Sequence, residues 1–120
     1  ILPLTKETKG MFGKEEFAAM KDSAYFINMA RGEVVDEDVM IEALKNDKIA
    51  GAGLDVFSKE PLPDDSELYE LDNVIMTPHV GGVFPEYNEK AIKIAGGNLE
   101  KFSAGKKDKM INKVDYDLGY

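Results

Sequence analysis

The sequence predicts an α/β fold: a parallel sheet with helices on its faces. Two observations carry this. Short apolar runs alternate with amphipathic segments of helical period, and that alternation implies parallel strands joined by right-handed crossovers. Glycine, proline or polar clusters follow the apolar runs and mark where each would end. Only three such runs are present, which is few for this architecture, so further strands are expected upstream of Ile1.

The elements follow in order. Lys14 to Lys21 sets Phe17, Ala18 and Met20 among charges, as a short helix does. Ala24-Tyr25-Phe26-Ile27-Asn28-Met29 is short, apolar and aromatic, the mark of a buried strand. Asp36 is placed to cap a second helix. Glu37 and Asp38 fall in its first turn, Lys45 and Lys48 near its end, and Val39, Met40, Ala43 and Leu44 share one face. These charges complement the helix dipole. Ile49 to Val56 is the second strand, and its small residues Gly51, Ala52 and Gly53 anticipate close approach by a helix or ligand. Phe57 to Asp65 is a turn-rich loop with Pro61 and Pro63. Val74-Ile75-Met76 is the third strand, stopped by Thr77-Pro78 because proline does not continue a central strand. Pro85 to Ala104 is the longest helix, with a stripe of Tyr87, Ala91, Ile94, Ala95, Asn98, Leu99 and Phe102. Gly96-Gly97 lies inside it at about 1 kcal/mol per glycine relative to alanine, so tight packing or a bend is expected there. The tail from Gly105 to Tyr120 is basic, then acidic, and weakly patterned.

Composition narrows the function. The 120 residues hold 15 Lys+Arg against 23 Asp+Glu, a net charge of −8. That balance opposes a nucleic-acid groove or an anionic membrane surface as partner, since either needs a basic patch. No apolar run approaches the roughly 20 residues of a membrane span. The apolar fraction of 43% suits a packed domain rather than a disordered chain. Cysteine is absent, which excludes disulfides, thiolate metal sites and cysteine nucleophiles, and fits a cytoplasmic protein. No metal site is expected. The chain opens on apolar Ile1-Leu2-Pro3-Leu4 without a methionine, and is expected to be a piece of something longer.

Three polar clusters occupy equivalent places. Asn28-Met29-Ala30-Arg31-Gly32 follows the first strand, Asp55 closes the second, and Pro78-His79-Val80-Gly81-Gly82 follows the third. Strand ends of one kind share one edge of a parallel sheet, and open α/β sheets bind ligands at the carboxyl edge. Arg31, Asp55 and His79 should therefore converge, with Glu60 in reach from the loop after Asp55. Each has a plainer alternative. Arg31 could be solvated, Asp55 a turn cap, His79 a structural histidine and Glu60 simple loop charge; Gly81-Gly82 could be a plain turn. Co-location of a cation, an imidazole and two acids nonetheless makes a site. A guanidinium grips a carboxylate in bidentate fashion and polarises a neighbouring carbonyl. An imidazole delivers or removes a proton, and a carboxylate beside it favours its charged form. The set suits reduction of a 2-oxo acid, with a cofactor as electron donor because these residues contain none.

Four stretches make the chain resemble the C-terminal portion of the D-isomer-specific 2-hydroxyacid dehydrogenases, the NAD-dependent family that includes D-lactate and D-3-phosphoglycerate dehydrogenases. They are Leu2 to Met11, Ile27 to Glu37, Gly51 to Leu62 and Thr77 to Gly82, in that order. The resemblance implies a fold that is the second half of a Rossmann-type parallel sheet with flanking helices, plus a C-terminal crossover helix. It implies catalytic roles for Arg31 (substrate carboxylate), Glu60 (partner of the histidine) and His79 (acid/base). It implies cofactor contacts from Leu2, Pro3 and Thr8 on the adenosine side and from Met29, Ala30, Arg31, Asp55, His79 and Gly81 near the nicotinamide, Asp55 holding its amide. The cofactor is expected to be NAD, with NADP left open.

The family's glycine-rich turn, Gly-x-Gly-x-x-Gly, and the acidic residue about 20 positions later are absent. Residues 1–97 are accordingly expected to form the second half of the cofactor domain, and residues 98–120 the segment that returns to the substrate domain. A small 2-oxo or 2-hydroxy acid is the expected substrate and a homo-oligomer the expected assembly. Two other readings remain: a non-enzymatic NAD-sensing binding protein of the same fold, and a stand-alone interaction module.

Overall fold

A computed structural model describes residues 1–119. It contains two compact units, Ile1–Gly81 and one beginning at Gly82. In the first, three strands pair in parallel in the order β1 (Tyr25–Asn28), β2 (Gly51–Leu54), β3 (Val74–Met76). Tyr25 lies opposite Gly51, and Leu54 opposite Met76. Each of the first two strands is shorter than the apolar run that encodes it. Ile49 and Val56 are buried but lie beyond the paired segment.

Helix α1 spans Lys14–Ala19; its entry is closed by Glu16, whose carboxylate accepts from the Gly13 amide at 2.9 Å. Helix α2 spans Glu37–Lys45 and connects β1 to β2. Asp36 caps it as the sequence predicts, accepting from the Val39 amide at 3.3 Å. A 3-10 turn at Glu67–Glu70 lies between β2 and β3. Three 3-10 turns were not expected from sequence: this one, one at Gly32–Val34 and, in the second unit, one at Lys107–Lys109.

The pleat sends Phe26, Ala52 and Leu54 to one face, where they meet Phe17 of α1 and Met40 and Leu44 of α2. Phe26 packs edge-on against Phe17, ring centroids 5.2 Å apart. The other face carries Tyr25, Ile27 and Ile75 at 73%, 71% and 77% exposure. The small residues of β2 answer a neighbour other than the one expected. A Cβ on Gly51 would stand 2.5 Å from the Asn73 carbonyl oxygen and 3.2 Å from the Tyr25 ring, so the close approach is by the chain itself.

The second unit is led by α3, Tyr87–Ser103. It runs unbroken through Gly96-Gly97, and nothing lies within 4 Å of a Cβ at either position. The tight packing expected there is absent among the described residues. The weakly patterned tail is held by polar contacts that leave no apolar period. Asn98 donates to the Ile111 carbonyl at 2.8 Å and accepts from its amide at 3.0 Å. The Lys107 ammonium sits 4.6 Å from the Phe102 ring centroid. Tyr120 lies outside the described residues.

Candidate active site

Because the strands are parallel, the loops that carry Arg31, Asp55 and His79 leave the same edge of the sheet. Each strand also ends in a polar side chain that ties down the loop after it. After β1, buried Asn28 accepts from the Ala30 amide and donates to the Arg31 carbonyl, both at 3.1 Å. The Arg31 guanidinium donates to the Ala30 carbonyl at 2.6 Å, and the residue itself is exposed.

After β2, Asp55 is buried, and its amide donates to the Asn28 carbonyl at 2.9 Å. Its Oδ1 accepts from the Thr77 hydroxyl at 2.5 Å and the Val80 amide at 2.8 Å. Its Oδ2 accepts from the Gly81 amide at 2.7 Å. One carboxylate thus gathers the whole turn after β3. Within that turn His79 adopts φ of +52°, the left-handed region that costs a non-glycine residue about 1–3 kcal/mol unless its surroundings impose it. Gly81 allows the gathering: a Cβ there would stand 2.7 Å from Asp55 Oδ2 and 3.4 Å from Met29 Cε.

Glu60 bridges the two remaining loops. Its Oε1 accepts from the Phe57 amide at 3.0 Å, and its Oε2 lies 2.7 Å from His79 Nδ1. With Nδ1–H donating to Glu60, Nε2 is the ring nitrogen left to meet a substrate. An open cleft of about 710 Å³ adjoins the pair, lined among others by Phe57, Leu62, Tyr69 and Met76. A second hollow of about 150 Å³ brings Leu2 together with Met29 and Ala30. Pro3 and Thr8 are joined to each other, the Thr8 hydroxyl donating to the Pro3 carbonyl at 2.7 Å, and are not among the residues that line this hollow. Among the described residues no cluster of three His, Cys, Asp or Glu side chains is placed to hold a metal.

The electrostatics reinforce this geometry. The Thr77 hydroxyl, followed by the Val80 and Gly81 amides and His79, holds the Asp55 carboxyl below its ordinary value against the opposing effect of burial. His79, the Phe57 amide and then the Arg31 charge do the same for Glu60, against a similar opposing burial effect. His79 and Arg31 therefore both act on the Glu60 carboxylate. A depressed carboxylate stabilises the fold above its unfolded value, and that contribution is lost as pH falls through the folded one. The Val80 and Gly81 amide resonances should then shift with an inflection below the ordinary aspartate value of 3.8. An inflection above it would show that Asp55 is not their acceptor.

Sequence reasoning passed over Asn28 and Thr77 as working residues. Both were legible as polar residues closing apolar runs, but which atoms they bind depends on neighbouring loops.

A parallel sheet whose carboxyl edge carries an arginine, an imidazole–carboxylate pair and a hollow lined by Met29 and Ala30 has the architecture of a dinucleotide-binding dehydrogenase domain. Residues 1–81 match the family model described as D-isomer specific 2-hydroxyacid dehydrogenase, NAD binding domain, and the chain belongs to that family. The glyoxylate/hydroxypyruvate reductase B of Escherichia fergusonii is 50% identical over 109 residues, covering 91% of this chain and 34% of that protein. The chain thus spans about a third of the length of the curated relatives it matches. Among solved structures, a D-isomer specific 2-hydroxyacid dehydrogenase from Xanthobacter autotrophicus Py2, in complex with NADPH and MES, superposes with a TM-score of 0.90. It is 42% identical and covers 100% of this chain and 48% of that one. An NADPH-dependent glyoxylate/hydroxypyruvate reductase from Sinorhizobium meliloti, in complex with NADP and sulfate, gives 0.89 at 31% identity, covering 100% of this chain and 38% of that one. Among the described residues no helix is long and apolar enough to cross a membrane.

Proposed function

We propose that this chain is the catalytic half of the cofactor domain of an NAD- or NADP-dependent oxidoreductase that interconverts a small 2-oxo acid and its D-2-hydroxy acid. The observation that carries the reading is the 2.7 Å contact between His79 Nδ1 and Glu60, with Arg31 close enough to act on the same carboxylate. Arg31 grips the substrate carboxylate with its planar fork and polarises the adjacent carbonyl. His79 gives a proton from Nε2 to the carbonyl oxygen in reduction and removes it in oxidation. Glu60 orients the ring by holding Nδ1.

The dinucleotide, when bound, supplies and accepts the hydride. The residues fit such a group on its nicotinamide side. Asp55 Oδ2 accepts only one N–H and keeps a lone pair for a carboxamide. Gly81 and Met29 lie close to that oxygen; Ala30, Arg31 and His79 are assigned to the same nicotinamide side, and Leu2, Pro3 and Thr8 to the adenosine side. The chain carries no Gly-x-Gly-x-x-Gly, so no pyrophosphate cradle of that kind is built from these residues. Residues 1–97 are assigned to the cofactor domain and 98–120 to a segment returning to the substrate domain. The enzyme is placed in the cytoplasm as a homo-oligomer, with neither nucleic acid nor membrane as partner.

The test is to exchange this chain for the matching third of the Escherichia fergusonii relative. Oxidation of NADH or NADPH with glyoxylate or hydroxypyruvate should survive the exchange; a dead hybrid that folds would sink the reading. In that hybrid Arg31→Lys should raise KM for the oxo acid. It loses one charge-assisted hydrogen bond of about 1.5–3 kcal/mol, or roughly 10- to 150-fold. An unchanged KM would remove the carboxylate grip. The 120-residue chain by itself should bind NAD more weakly than micromolar in a calorimetric titration. The few hydrogen bonds of the nicotinamide side, at about 0.5–1.5 kcal/mol each, are offset by an association entropy of at least about 4 kcal/mol.

A further inference from the structure

Glu37, the first residue of α2, performs a task that no motif assigns to it. Its carboxylate reaches the loop after β2 and takes both polar hydrogens of Ser58: the amide donates to Oε2 at 2.9 Å and the hydroxyl to Oε1 at 2.8 Å. The preceding amide, of Phe57, donates to Glu60. Two successive N–H groups are thus held by two different carboxylates, one on α2 and one on the residue that touches His79. The turn after β1 also presses on this stretch. A Cβ on Gly32 would fall 1.9 Å from the Phe57 carbonyl carbon. Phe57 is buried, so its main chain has few ways to move.

We propose that Glu37 is a positioning residue for the Glu60–His79 pair, acting through Ser58. It rests on the reading of that pair as the acid–base couple. Holding the Ser58 amide fixes the main-chain rotation after Phe57, and with it the span from the Phe57 N–H to the Glu60 carboxylate. Released, the loop lets Glu60 leave either the amide or the imidazole. A displacement of about 1 Å at a reacting group costs up to about a hundredfold in rate.

Glu60 itself reports the effect. The charged groups acting on it are His79 and Arg31, with Asp64 lining the same cleft, and none of these is altered by changes at Glu37 or Ser58. The side-chain carboxyl carbon of Glu60 is followed by NMR against pH in the full chain and in Glu37→Ala, Ser58→Ala and Glu37→Gln, together with thermal melting. Glu37→Ala should move the Glu60 titration up toward its ordinary value of 4.5. Ser58→Ala keeps the amide contact and should move it less. Glu37→Gln should restore the native behaviour, because the Ser58 hydroxyl can accept from an amide as readily as it donates to a carboxylate. In the holoenzyme that carries this chain, Glu37→Ala should lower kcat about tenfold or more, within that hundredfold bound, with KM for the oxo acid little changed.

A Glu60 titration that stays put while the melting temperature falls overturns the proposal and leaves Glu37 a purely structural contact. If Glu37→Ala does not fold, Glu37→Asp, whose side chain is one methylene too short to keep both Ser58 contacts, takes its place, and an unmoved Glu60 titration in that folded variant overturns the proposal equally. A shifted titration together with a holoenzyme that reduces no oxo acid supports Glu37 as the positioning residue and overturns the proposed function instead.

Discussion

In the holoenzyme proposed to carry this chain, replacing His79 by alanine should lower turnover by about 10²–10⁴, the range that proton transfer by a positioned side chain contributes. The sequence contains no other histidine to substitute for it. Its ring is also unusually constrained. Nδ1 is held by Glu60 at 2.7 Å, and the main chain is kept at φ of +52° by the turn gathered on Asp55. A water in the vacated space would not have the fixed position. Arg31 stays in place in this variant, so binding of the oxo acid should change far less than kcat. Steady-state kinetics in the presence of NADPH separate the two. A loss confined to KM would make His79 a binding residue and the proton donor would lie elsewhere. Partial recovery with added imidazole would identify the missing group directly.

Gly32→Ala should unfold or nearly unfold the first unit. The added methyl would lie 1.9 Å from the Phe57 carbonyl carbon, 2.0 Å from its oxygen and 2.4 Å from the Ser58 nitrogen. All three are backbone atoms, so no flexible side chain can swing aside. The turns after β1 and β2 would have to separate, exposing Phe57 and disturbing both Arg31 and Glu60. Ordinary overpacking costs about 1–3 kcal/mol. Here a loss of at least about 3 kcal/mol is expected, a large part of the roughly 5–15 kcal/mol that holds a domain. Urea unfolding measures it. Gly53→Ala is the control: its Cβ would meet nothing nearer than Ile27 Cγ1 at 3.8 Å, and it should stay within about 1 kcal/mol of the parent. If Gly32→Ala melted like the parent, the two turns would not be in contact.

The elements were legible because their signals are local. The Asp36 cap, the acids of the first turn and the apolar spacing 39, 40, 43 and 44 are signals contained within one helix, and the structure keeps that helix and its cap. The three apolar runs became three parallel strands, and from that alone the loops of Arg31, Asp55 and His79 had to leave one edge. The glycines were legible as exceptions but not as causes. Gly51 makes room for Asn73 and Tyr25 within the sheet, while Gly96 and Gly97 make room for nothing described.

The sequence by itself determined the strand order's ingredients, the helix ends and the residue types along the carboxyl edge, since each follows from periodicity, capping and the alternation of strand and helix. Only the tertiary structure decided which atoms meet. Asp55 binds Thr77, Val80 and Gly81 across 22 to 26 residues, and Glu37 reaches Ser58 across 21. Such pairings depend on how loops from different strands are brought side by side by the packing of α1 and α2 on one face of the sheet. No local pattern encodes that distance, because hydrogen-bond partners are chosen by position in space and not by spacing along the chain.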